Sequence, residues 1–508
     1  MKITVHSSKL VKPAYEDDGN NGIRRSSDSS SPFAKAEVVP LSVFDKATFD
    51  QHIPALYFFP APAPPRAALE AGLATALAHY REWAGRRGAD AEGNPTAILL
   101  TDAGARLVEA TADSAIAAAP VDDVGLLAPE TLMSLHPSCN CNKEEEELVM
   151  VQVTRFACGA FVVGVSSLHL VADGHAVFEF LAAWGQATRG VAVDPVPFHD
   201  RVAPFTPRHP PRVEFDHREA EFKVAPRPSS VEKNACQNDD DVHDNLFDDD
   251  EVVVSTVRFT REWISNLKSH IRSSSTTTTR SSSRTSTLQC VLAHLWRCIT
   301  AARGLIGHQT TTLRIAVNGR TRMRNPEVPA GYTGNVVLWA RPTTTVHDLT
   351  TTPLASTVEL IARAVAEIDD RYFRSFIDFA SNEEAVAGLA PVADAAEAAL
   401  SPDVEVDSLL GLPAHRVDFG SGPPSLFVPG YIPVEGVVFV VPSFDGDGSV
   451  YAYVPLFRRA VDAFNNCCYV LPDEPHHAAL FPTAACADDL PRVMMTATRM
   501  CGAPPPRV

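Results

Sequence analysis

A largely apolar run, Phe161–Leu168, is directly followed by His169-Leu-Val-Ala-Asp173-Gly174. A short apolar run that ends at a turn signal is typical of a buried strand, and Gly174 favours a turn at this point. An ionisable side chain is an unusual way to end a core strand. An imidazole is also the side chain best suited to move a proton near neutral pH. The pattern therefore predicts a core strand that delivers His169 to a functional site.

Other interpretations of this motif stay open on spacing alone. His169 and Asp173 are four residues apart and would share a face of a helix, but Gly174 and the preceding strand favour a turn. A structural histidine with a capping aspartate fits the same residues. A metal site built from His169, Asp173 and His175 lacks a further ligand at a useful spacing. We therefore predict neither a metal nor a cofactor.

Length and charge limit the fold and the partners. A chain of 508 residues is too long for one ordinary core and predicts two domains. The apolar share of 45% and the charged share of 21% are those of a globular protein. A formal net charge of −18 repels nucleic acid and anionic membranes, so neither is expected as a partner.

The cellular setting follows from what the sequence lacks. The start, Met1–Ser8, alternates like a short strand and carries no apolar signal core, and no apolar run approaches the roughly 20 residues that span a bilayer. The ten cysteines include no CxxC pair, and the pairs Cys139/Cys141 and Cys467/Cys468 are too close for a disulfide framework. Reduced thiols in a cytoplasmic enzyme are the expectation.

Composition divides the chain into four parts. Residues 1–211 form a predicted first domain that ends in a Pro-rich stretch, and residues 252–473 form a predicted second domain. Between them, residues 212–251 read as an acidic crossover linker, with eight acids from Asp239 to Glu251 and too few apolar residues to order itself. Residues 474–508 read as a loose tail.

Periodicity predicts strands and helices in both domains. The predicted strands are Ala97–Thr101, Leu148–Thr154, Phe161–Leu168, Val252–Phe259, Thr312–Val317, Asn335–Ala340 and Glu435–Pro442. The predicted helices are Pro64–Arg87, His175–Gln186, Thr260–Ser269, Ser286–Arg303 (with Ser286 as N-cap) and Pro353–Asp370. Such a mixture predicts an α/β protein.

A second motif, Asp418-Phe-Gly420-Ser421-Gly422, lies in the other half of the chain. Two glycines bracket Ser421 and two prolines follow, so the backbone must turn sharply. By itself, Asp418 also fits an ordinary turn residue.

Together the two motifs resemble HxxxDG and DFGWG, the signatures of the plant BAHD acyltransferases, which use CoA thioesters. The resemblance implies a two-domain, chloramphenicol acetyltransferase-like fold, with mixed sheets flanked by helices and an active-site channel between the domains. It places His169 and Asp418 in the catalytic motifs and implies that Asp418 is mainly an anchor paired with Arg320 or Arg322. The chain departs from the family at Asn318, usually Asp, and at Ser421, usually Trp.

Further matches extend the resemblance from Met1 to about Asp473. Ser286-Thr287 ahead of Ala293–Trp296 resembles the helix that borders the acyl-CoA site, and Gly331-Tyr-Thr333-Gly-Asn335 resembles the GYxGN turn of the family. The resemblance therefore implies acyl-CoA contacts at Ser286, Thr287 and Thr333. Asp173, Gly174, Gly420, Gly422 and Arg320 are expected to hold the motifs in shape.

The acceptor is expected to be a small cationic amine. Several segments resemble the agmatine and putrescine hydroxycinnamoyltransferases, the amine branch of the family. Asp407-Ser408-Leu409 stands where shikimate-using relatives carry Thr-Ser-Trp, and the Arg that precedes it in those relatives is missing. An acid at this place suits a cation and repels a carboxylate. Asp407 and Ser408 are thus the predicted acceptor contacts; the alternative is that Asp407 and the nearby Asp394, Glu397 and Glu405 face water.

The resemblance implies that His169 takes a proton from the acceptor amine as it attacks a hydroxycinnamoyl-CoA thioester. No covalent enzyme intermediate is expected, and the chain is expected to act as a monomer. Open alternatives are putrescine, tyramine, tryptamine or spermidine as acceptor, O-acylation of an alcohol, and a paralogue that binds acyl-CoA without turnover. The residues leave the preferred amine and the preferred hydroxycinnamoyl group undecided.

Overall fold

The structure is a computed structural model that describes residues 1–15, 37–89, 97–115, 129–137, 146–225, 251–274, 286–392, 399–430 and 434–471. The acidic run from Asp239 to Asp250 and the tail 474–508 lie outside these residues. Asp394 and Glu397, weighed above as acceptor contacts, lie outside them as well, as do Cys139 and Cys141.

Strands and helices are both distributed along the whole described chain. The strands are β1 Ile3–Val11, β2 Glu37–Pro40, β3 His52–Phe59, β4 Arg86–Gly88, β5 Ala97–Leu100, β6 Ala105–Ala112, β7 Val149–Phe156, β8 Phe161–Leu168, β9 Phe222–Val224, β10 Val252–Phe259, β11 Thr310–Asn318, β12 Val337–Ala340, β13 Thr343–Thr345, β14 Leu389–Pro391, β15 Val404–Ser408, β16 Leu426–Pro429, β17 Val437–Pro442 and β18 Val450–Phe457. The helices are α1 Arg66–His79, α2 Pro129–Ser134, α3 Gly174–Thr188, α4 Arg261–Ser274, α5 Thr287–Ala302, α6 Val346–Thr351, α7 Leu354–Glu367, α8 Asp370–Ala380, α9 Glu383–Val386 and α10 Arg458–Cys467.

The first large sheet combines strands from both halves of the chain. Its order in the described residues is β1-β6-β7-β8-β3-β16. Strand β16 comes from the second half and pairs antiparallel with β3, with Leu426 opposite Phe58. Helices α1 and α3 pack together on this sheet around Leu73, Leu77 and Trp184, all fully buried. The predicted first domain, residues 1–211, therefore does not hold the whole sheet.

The second large sheet has the order β10-β18-β17-β15-β11-β12, with β13 also pairing with β11. Helix α5 buries Leu292 and Trp296 against one face of it. The predicted cap is confirmed, since the Ser286 hydroxyl accepts the Gln289 N–H at 3.1 Å and the Gln289 side chain accepts the Ser286 N–H at 3.3 Å. This reciprocal capping box satisfies two orphan donors at the start of α5.

The two faces of the second sheet serve different cores, because side chains alternate along each strand. Val404 and Val406 of β15 lie in the core with α5. Glu405 and Asp407 of the same strand therefore point to the opposite face. On that face Tyr453 belongs to the core of the first half, and its hydroxyl donates to the Phe427 carbonyl at 2.7 Å. We call this face of the second sheet, where it meets the first half, the seam.

Most predicted elements are confirmed, and two of the strands, β8 and β10, have the predicted bounds. The predicted helix Pro64–Arg87 is wrong beyond His79. Tyr80 leaves helical geometry, with φ −112° and ψ 61°, and a 3-10 turn over Arg81–Ala84 follows. The chain then enters β4, which pairs with β5, so sheet formation overrides a continuing apolar pattern. No helix in the described part of the chain combines the length and the apolarity needed to cross a membrane.

The turn at Asp418 packs closely against α3. Phe419 is buried among aromatic rings, with its centroid 4.9 Å from Trp184 and 5.3 Å from Phe59. Gly185 of α3 allows this approach, because a Cβ at that position would overlap the carbonyl oxygen of Asp418. The other end of α3 is open by comparison. A Cβ at Gly174 would meet only the Leu412 side chain, at 3.7 Å.

We predict that Gly185→Ala lowers the free energy of unfolding by about 1–3 kcal/mol, the usual cost of overpacking. Gly174→Ala, in the same helix, is the matched control and should not lower the melting temperature, because its Cβ makes an ordinary contact. Thermal denaturation of both variants checks this. Equal melting temperatures for the two would contradict the close packing of the turn on α3.

Candidate active site

His169 occupies the turn between β8 and α3, as the sequence predicts. Its backbone N–H donates to the Gln51 carbonyl at 3.0 Å, and its carbonyl accepts from the Asn335 side-chain amide at 2.9 Å. Helix α3 begins at the next glycine because the Asp173 carboxylate caps it, accepting the Ala176 N–H at 3.0 Å. Backbone contacts from two distant segments thus fix the position of the histidine.

The imidazole ring is half-buried between Thr48 and Phe49. Nδ1 lies 3.0 Å from the Thr48 hydroxyl, and the Phe49 ring centroid lies 5.7 Å from that of the imidazole. Nε2 makes no hydrogen bond to any described residue. Burial lowers the pKa of His169 and outweighs the hydrogen bonds and the negative charges of Asp173 and Asp45, which act to raise it. The ring is therefore neutral at pH 7, with a nitrogen available to accept a proton.

Asp173 is an anchor between the two halves of the chain. Its second carboxylate oxygen accepts from the Arg320 guanidinium at 2.6 Å and from the Val336 N–H at 3.0 Å. Burial opposes its ionisation, but the charge and hydrogen bond of Arg320 prevail and hold the pKa of Asp173 below its ordinary value. The expectation that Arg320 or Arg322 pairs with Asp418 is thus wrong for Arg320, whose partner is Asp173.

Asp418 lies at the far end of α3 from His169. Its carboxylate accepts the N–H groups of Gly420 and Gly422 at 2.7 and 2.9 Å and lies 3.4 Å from Arg189, the residue that ends α3. Both glycines have positive φ, +114° and +95°, which explains why the turn requires them. The 15 residues of α3 span about 22 Å. The prediction of Asp418 as a catalytic residue is therefore corrected: it shapes the turn and is remote from the imidazole.

The GYxGN turn supports the histidine from the second half. Asn335 donates both its backbone N–H and its side-chain amide to Asp45, at 2.9 and 2.8 Å. Asp45 also lies 3.1 Å from the Arg201 guanidinium, and both of these side chains are fully buried. The same Asn335 amide reaches the His169 carbonyl. The buried ion pair of Asp45 and Arg201 thus positions Asn335, and Asn335 in turn holds the turn at His169.

Thr333 of the same turn does not reach a ligand-accessible surface. Its side chain is 1% exposed, and its hydroxyl donates to Glu82 at 3.2 Å. The prediction that Thr333 contacts acyl-CoA is therefore corrected to an internal hydrogen bond.

The acceptor residues predicted on β15 separate in the structure. Asp407 points into the seam, and its carboxylate makes no hydrogen bond or ion pair with a described residue, whereas Glu405 on the same face pairs with Arg314 at 2.9 Å. Burial, and then the charge of Glu405, raise the pKa of Asp407 to about 7, and the charge of Arg314 opposes this rise without cancelling it. Ser408 faces the other way, and its hydroxyl accepts the Leu410 N–H at 3.3 Å. The prediction that Ser408 contacts the acceptor together with Asp407 is therefore corrected, because the two side chains lie on opposite faces of β15.

Aromatic rings lead from His169 to the face of the second sheet that carries Asp407. Trp339 shares the face of Asp407, since it pairs with Ala316 of β11 and lies under the Arg314 guanidinium at 6.0 Å. The Trp339 ring meets Phe49 edge-on at 6.5 Å, and Phe49 is the ring that packs on His169. The imidazole and the unpaired carboxylate therefore border the same apolar surface. Sequence reasoning missed Thr48, Phe49 and Trp339, because no local pattern joins them to the motif.

Ser286 and Thr287 lie at the start of α5. The hydroxyl of Ser286 serves the helix cap, and that of Thr287 accepts from the Lys268 ammonium at 2.8 Å. A helix N-terminus with a lysine beside it favours a negative group. Among the described residues, no cluster of three or more His, Cys, Asp or Glu side chains is arranged to hold a metal ion.

Comparison with solved structures identifies the fold. Vinorine synthase superposes with a TM-score of 0.60 at 19% identity, covering 91% of this chain and 96% of that one. TRI101 of F. sporotrichioides, solved with coenzyme A and T-2, superposes with a TM-score of 0.64 at 16% identity, covering 85% and 97%. The chain therefore shares the fold of these two solved proteins.

Sequence comparison identifies the family. Residues 28–471 match the model of the Transferase family, and the chain belongs to this family, the BAHD acyltransferases. Agmatine hydroxycinnamoyltransferase 1 of Oryza sativa subsp. japonica and agmatine coumaroyltransferase-1 of Hordeum vulgare are each 54% identical to it, over 93% of this chain and all of theirs. Putrescine hydroxycinnamoyltransferase 3 of Oryza sativa subsp. japonica is 43% identical, over 92% of this chain and 99% of its own length.

We predict that Asp173→Ala and Asp418→Ala differ strongly in stability. Asp173→Ala strands the nearly buried Arg320 charge and should cost about 3–5 kcal/mol. Asp418→Ala removes a half-exposed pair and two backbone hydrogen bonds, and should cost about 1–2 kcal/mol. Chemical denaturation measures both values. A larger loss at Asp418 would contradict the roles assigned here.

Proposed function

We propose that this protein transfers a hydroxycinnamoyl group from its CoA thioester to the primary amine of agmatine or of a related small cation. The main support is that a possible proton acceptor and a possible cation-binding carboxylate border the same apolar surface. A neutral imidazole with an available Nε2 lies at one end of the Phe49–Trp339 surface, and an unpaired carboxylate, Asp407, faces the same seam. The named activities of the two 54% identical relatives support the same reaction.

His169 would act as the general base. A free primary amine has a pKa near ~10, so most of the acceptor must first lose a proton to become a nucleophile. As the neutral amine nitrogen attacks the thioester carbonyl, it becomes positively charged, and Nε2 of His169 takes one of its protons. The C–N bond forms, the C–S bond then breaks, and the proton passes to the departing CoA thiolate. The thioester is already activated, so no acyl-enzyme is required.

Asp407 would hold the cationic end of the acceptor. A guanidinium stays charged at every working pH and binds a carboxylate through paired hydrogen bonds. Because no described residue forms an ion pair or hydrogen bond with the Asp407 carboxylate, the acceptor would supply that partner. Glu405 differs in this respect, since Arg314 already neutralises it. Putrescine would satisfy Asp407 through its second ammonium and is the principal alternative acceptor.

The acyl-CoA would lie toward the start of α5. CoA carries several phosphates, and the N-terminus of α5 together with the Lys268 ammonium favours such a group. Ser286 and Thr287 therefore remain proposed contacts of the acyl-CoA. Thr333 is no longer one, because it is buried. We further propose a cytoplasmic monomer; the free thiols of Cys290, Cys298, Cys467 and Cys468 are consistent with a reducing compartment.

O-acylation of a carboxylated alcohol is a weaker candidate. A shikimate or quinate carboxylate would meet the negative charge of Asp407 rather than a cation. A panel of p-coumaroyl-CoA with agmatine, putrescine, tyramine, tryptamine, spermidine and shikimate, read by mass spectrometry, separates these possibilities. Product with shikimate and none with any amine would refute the proposal.

We predict that His169→Ala lowers kcat for agmatine acylation by about 10²–10⁴-fold, the usual contribution of a general base. The melting temperature should change little, because the backbone of residue 169 makes the contacts that hold the turn. The exposed His6→Ala variant is the matched control and should keep full activity. Full turnover by His169→Ala would eliminate the imidazole as the base.

We predict that Asp407→Asn weakens acceptor binding and stabilises the unliganded protein. The agmatine KM should rise about tenfold, because a charge-assisted contact is lost, while the KM for p-coumaroyl-CoA stays within about twofold. The folded pKa of about 7 exceeds the ordinary 3.8, so folding disfavours the charged form, and that cost is present at neutral pH. The melting temperature at pH 7.5 should therefore rise.

The pH dependence tests the same assignment. As pH rises through about 7, Asp407 ionises, so the agmatine KM should fall in the wild type by more than in Asp407→Asn. The surface variant Asp445→Asn is the control for loss of one charge. Equal changes in the KM of both substrates, or a pH dependence unaltered by Asp407→Asn, would rule out direct contact with the acceptor.

A further inference from the structure

One short segment, residues 45–51, makes three separate contacts with the catalytic histidine, and we call it the His169 strap. The Gln51 carbonyl accepts the His169 N–H, the Phe49 ring packs on the imidazole, and the Thr48 hydroxyl lies 3.0 Å from Nδ1. The strap precedes β3 and is 121 residues from the histidine in sequence. Of these contacts, only that of Thr48 involves the titrating part of the ring.

The strap is held at both ends by charged side chains. Asp45 pairs with the buried Arg201 and accepts two hydrogen bonds from Asn335. Asp50 pairs with the Arg87 guanidinium, which also donates to Glu146 at 3.0 Å. Thr48 itself is only 6% exposed. Its hydroxyl is therefore positioned by the fold and is shielded from competition by solvent.

No described carboxylate takes the place next to Nδ1. The nearest acid in the motif, Asp173, gives its oxygens to Ala176, Val336 and Arg320. In many histidine-dependent enzymes a carboxylate accepts the Nδ1 proton and thereby leaves Nε2 free to act as the base. Here the only side-chain oxygen that hydrogen-bonds to Nδ1, within the described residues, is that of Thr48.

We propose that Thr48 is the positioning residue for the general base: its hydroxyl accepts the Nδ1 proton of His169 and so keeps Nε2 as the proton acceptor. This rests on the proposed role of His169. The same hydrogen bond is kept when Nε2 gains a proton, because Nδ1 is a donor in both states. The ring therefore needs no reorientation during proton transfer. A neutral hydroxyl adds no negative charge beside the ring, so the imidazole stays unprotonated at neutral pH.

The test compares Thr48→Val, which has nearly the same shape but no hydroxyl, with Thr48→Ser, which keeps it. Thr48→Val should lower kcat by about 10–100-fold with both KM values within about threefold, and Thr48→Ser should retain more than about one third of kcat. Thr300→Val is the matched control, because Thr300 is fully buried in α5 and its hydroxyl has no hydrogen-bond partner among the described residues. It should keep wild-type kinetics.

The pH profile distinguishes positioning from general damage. Loss of the Nδ1 partner removes a bond that favours imidazolium, so the acidic limb of kcat/KM should move to lower pH by about 0.5–1 unit in Thr48→Val. The charged groups around the ring, Asp173 with Arg320 and Asp45 with Arg201, are unchanged in this variant. A structural defect would lower the plateau without moving the limb.

Several outcomes would overturn the proposal. Wild-type kcat and an unmoved limb in Thr48→Val would do so, as would equal loss in Thr48→Ser and Thr48→Val. If Thr48→Val does not fold, Thr48→Ala is compared with Thr48→Ser in its place. His169→Ala is measured in parallel: full activity there removes the general base itself, whereas an inactive His169→Ala beside a normal Thr48→Val removes only the role of Thr48.

Discussion

The ion pair between Asp173 and Arg320 is the interaction on which the rest of the site depends. It is nearly buried, it spans 147 residues of sequence, and it joins the cap of α3 to the second half of the chain. A pair of this kind is hard to replace singly, because either partner left alone is an uncompensated charge. His169 lies four residues before Asp173, so the pair also fixes the turn that carries the imidazole. Asn335 and Asp45 hold the same turn from the other side.

Most charged side chains near the seam are paired with one of opposite sign, and Asp407 is an exception among the described residues. Arg201, Arg314 and Arg320 each neutralise an acid near it, and each of those pairs serves structure. Asp407 is different, because burial and the charge of Glu405 raise its pKa, the charge of Arg314 offsets this only in part, and Asp407 forms no ion pair with a described residue. A buried acid that costs stability and gains no partner within the fold is characteristic of a binding site. This cost to stability is what makes Asp407 a candidate for the proposed contact with the acceptor.

Much of the fold could be predicted from periodicity, and the histidine from its place at the end of β8. Strand β15 was missed because its alternation of valine and acid resembles an exposed segment until both faces of the sheet are known. The partner of Arg320 was misassigned because two acids, Asp173 and Asp418, fit the motif equally well in sequence. In the structure the two acids lie at opposite ends of α3, and only Asp173 is within reach of Arg320. Thr48 gave no local signal, since its significance arises entirely from a contact across the fold.

Strand β16 has a consequence for how substrates arrive. It leaves the second half, enters the first sheet beside β3, and its Phe427 carbonyl is bound by Tyr453 of the second sheet. The two halves are therefore joined by β16. A hinge motion that separated them would have to break the pairing of β16 with β3 or its hydrogen bond to Tyr453. Substrates would therefore have to reach any site at the seam without separation of the halves, and an exchange of halves between relatives would have to move β16 together with the sheet that it completes.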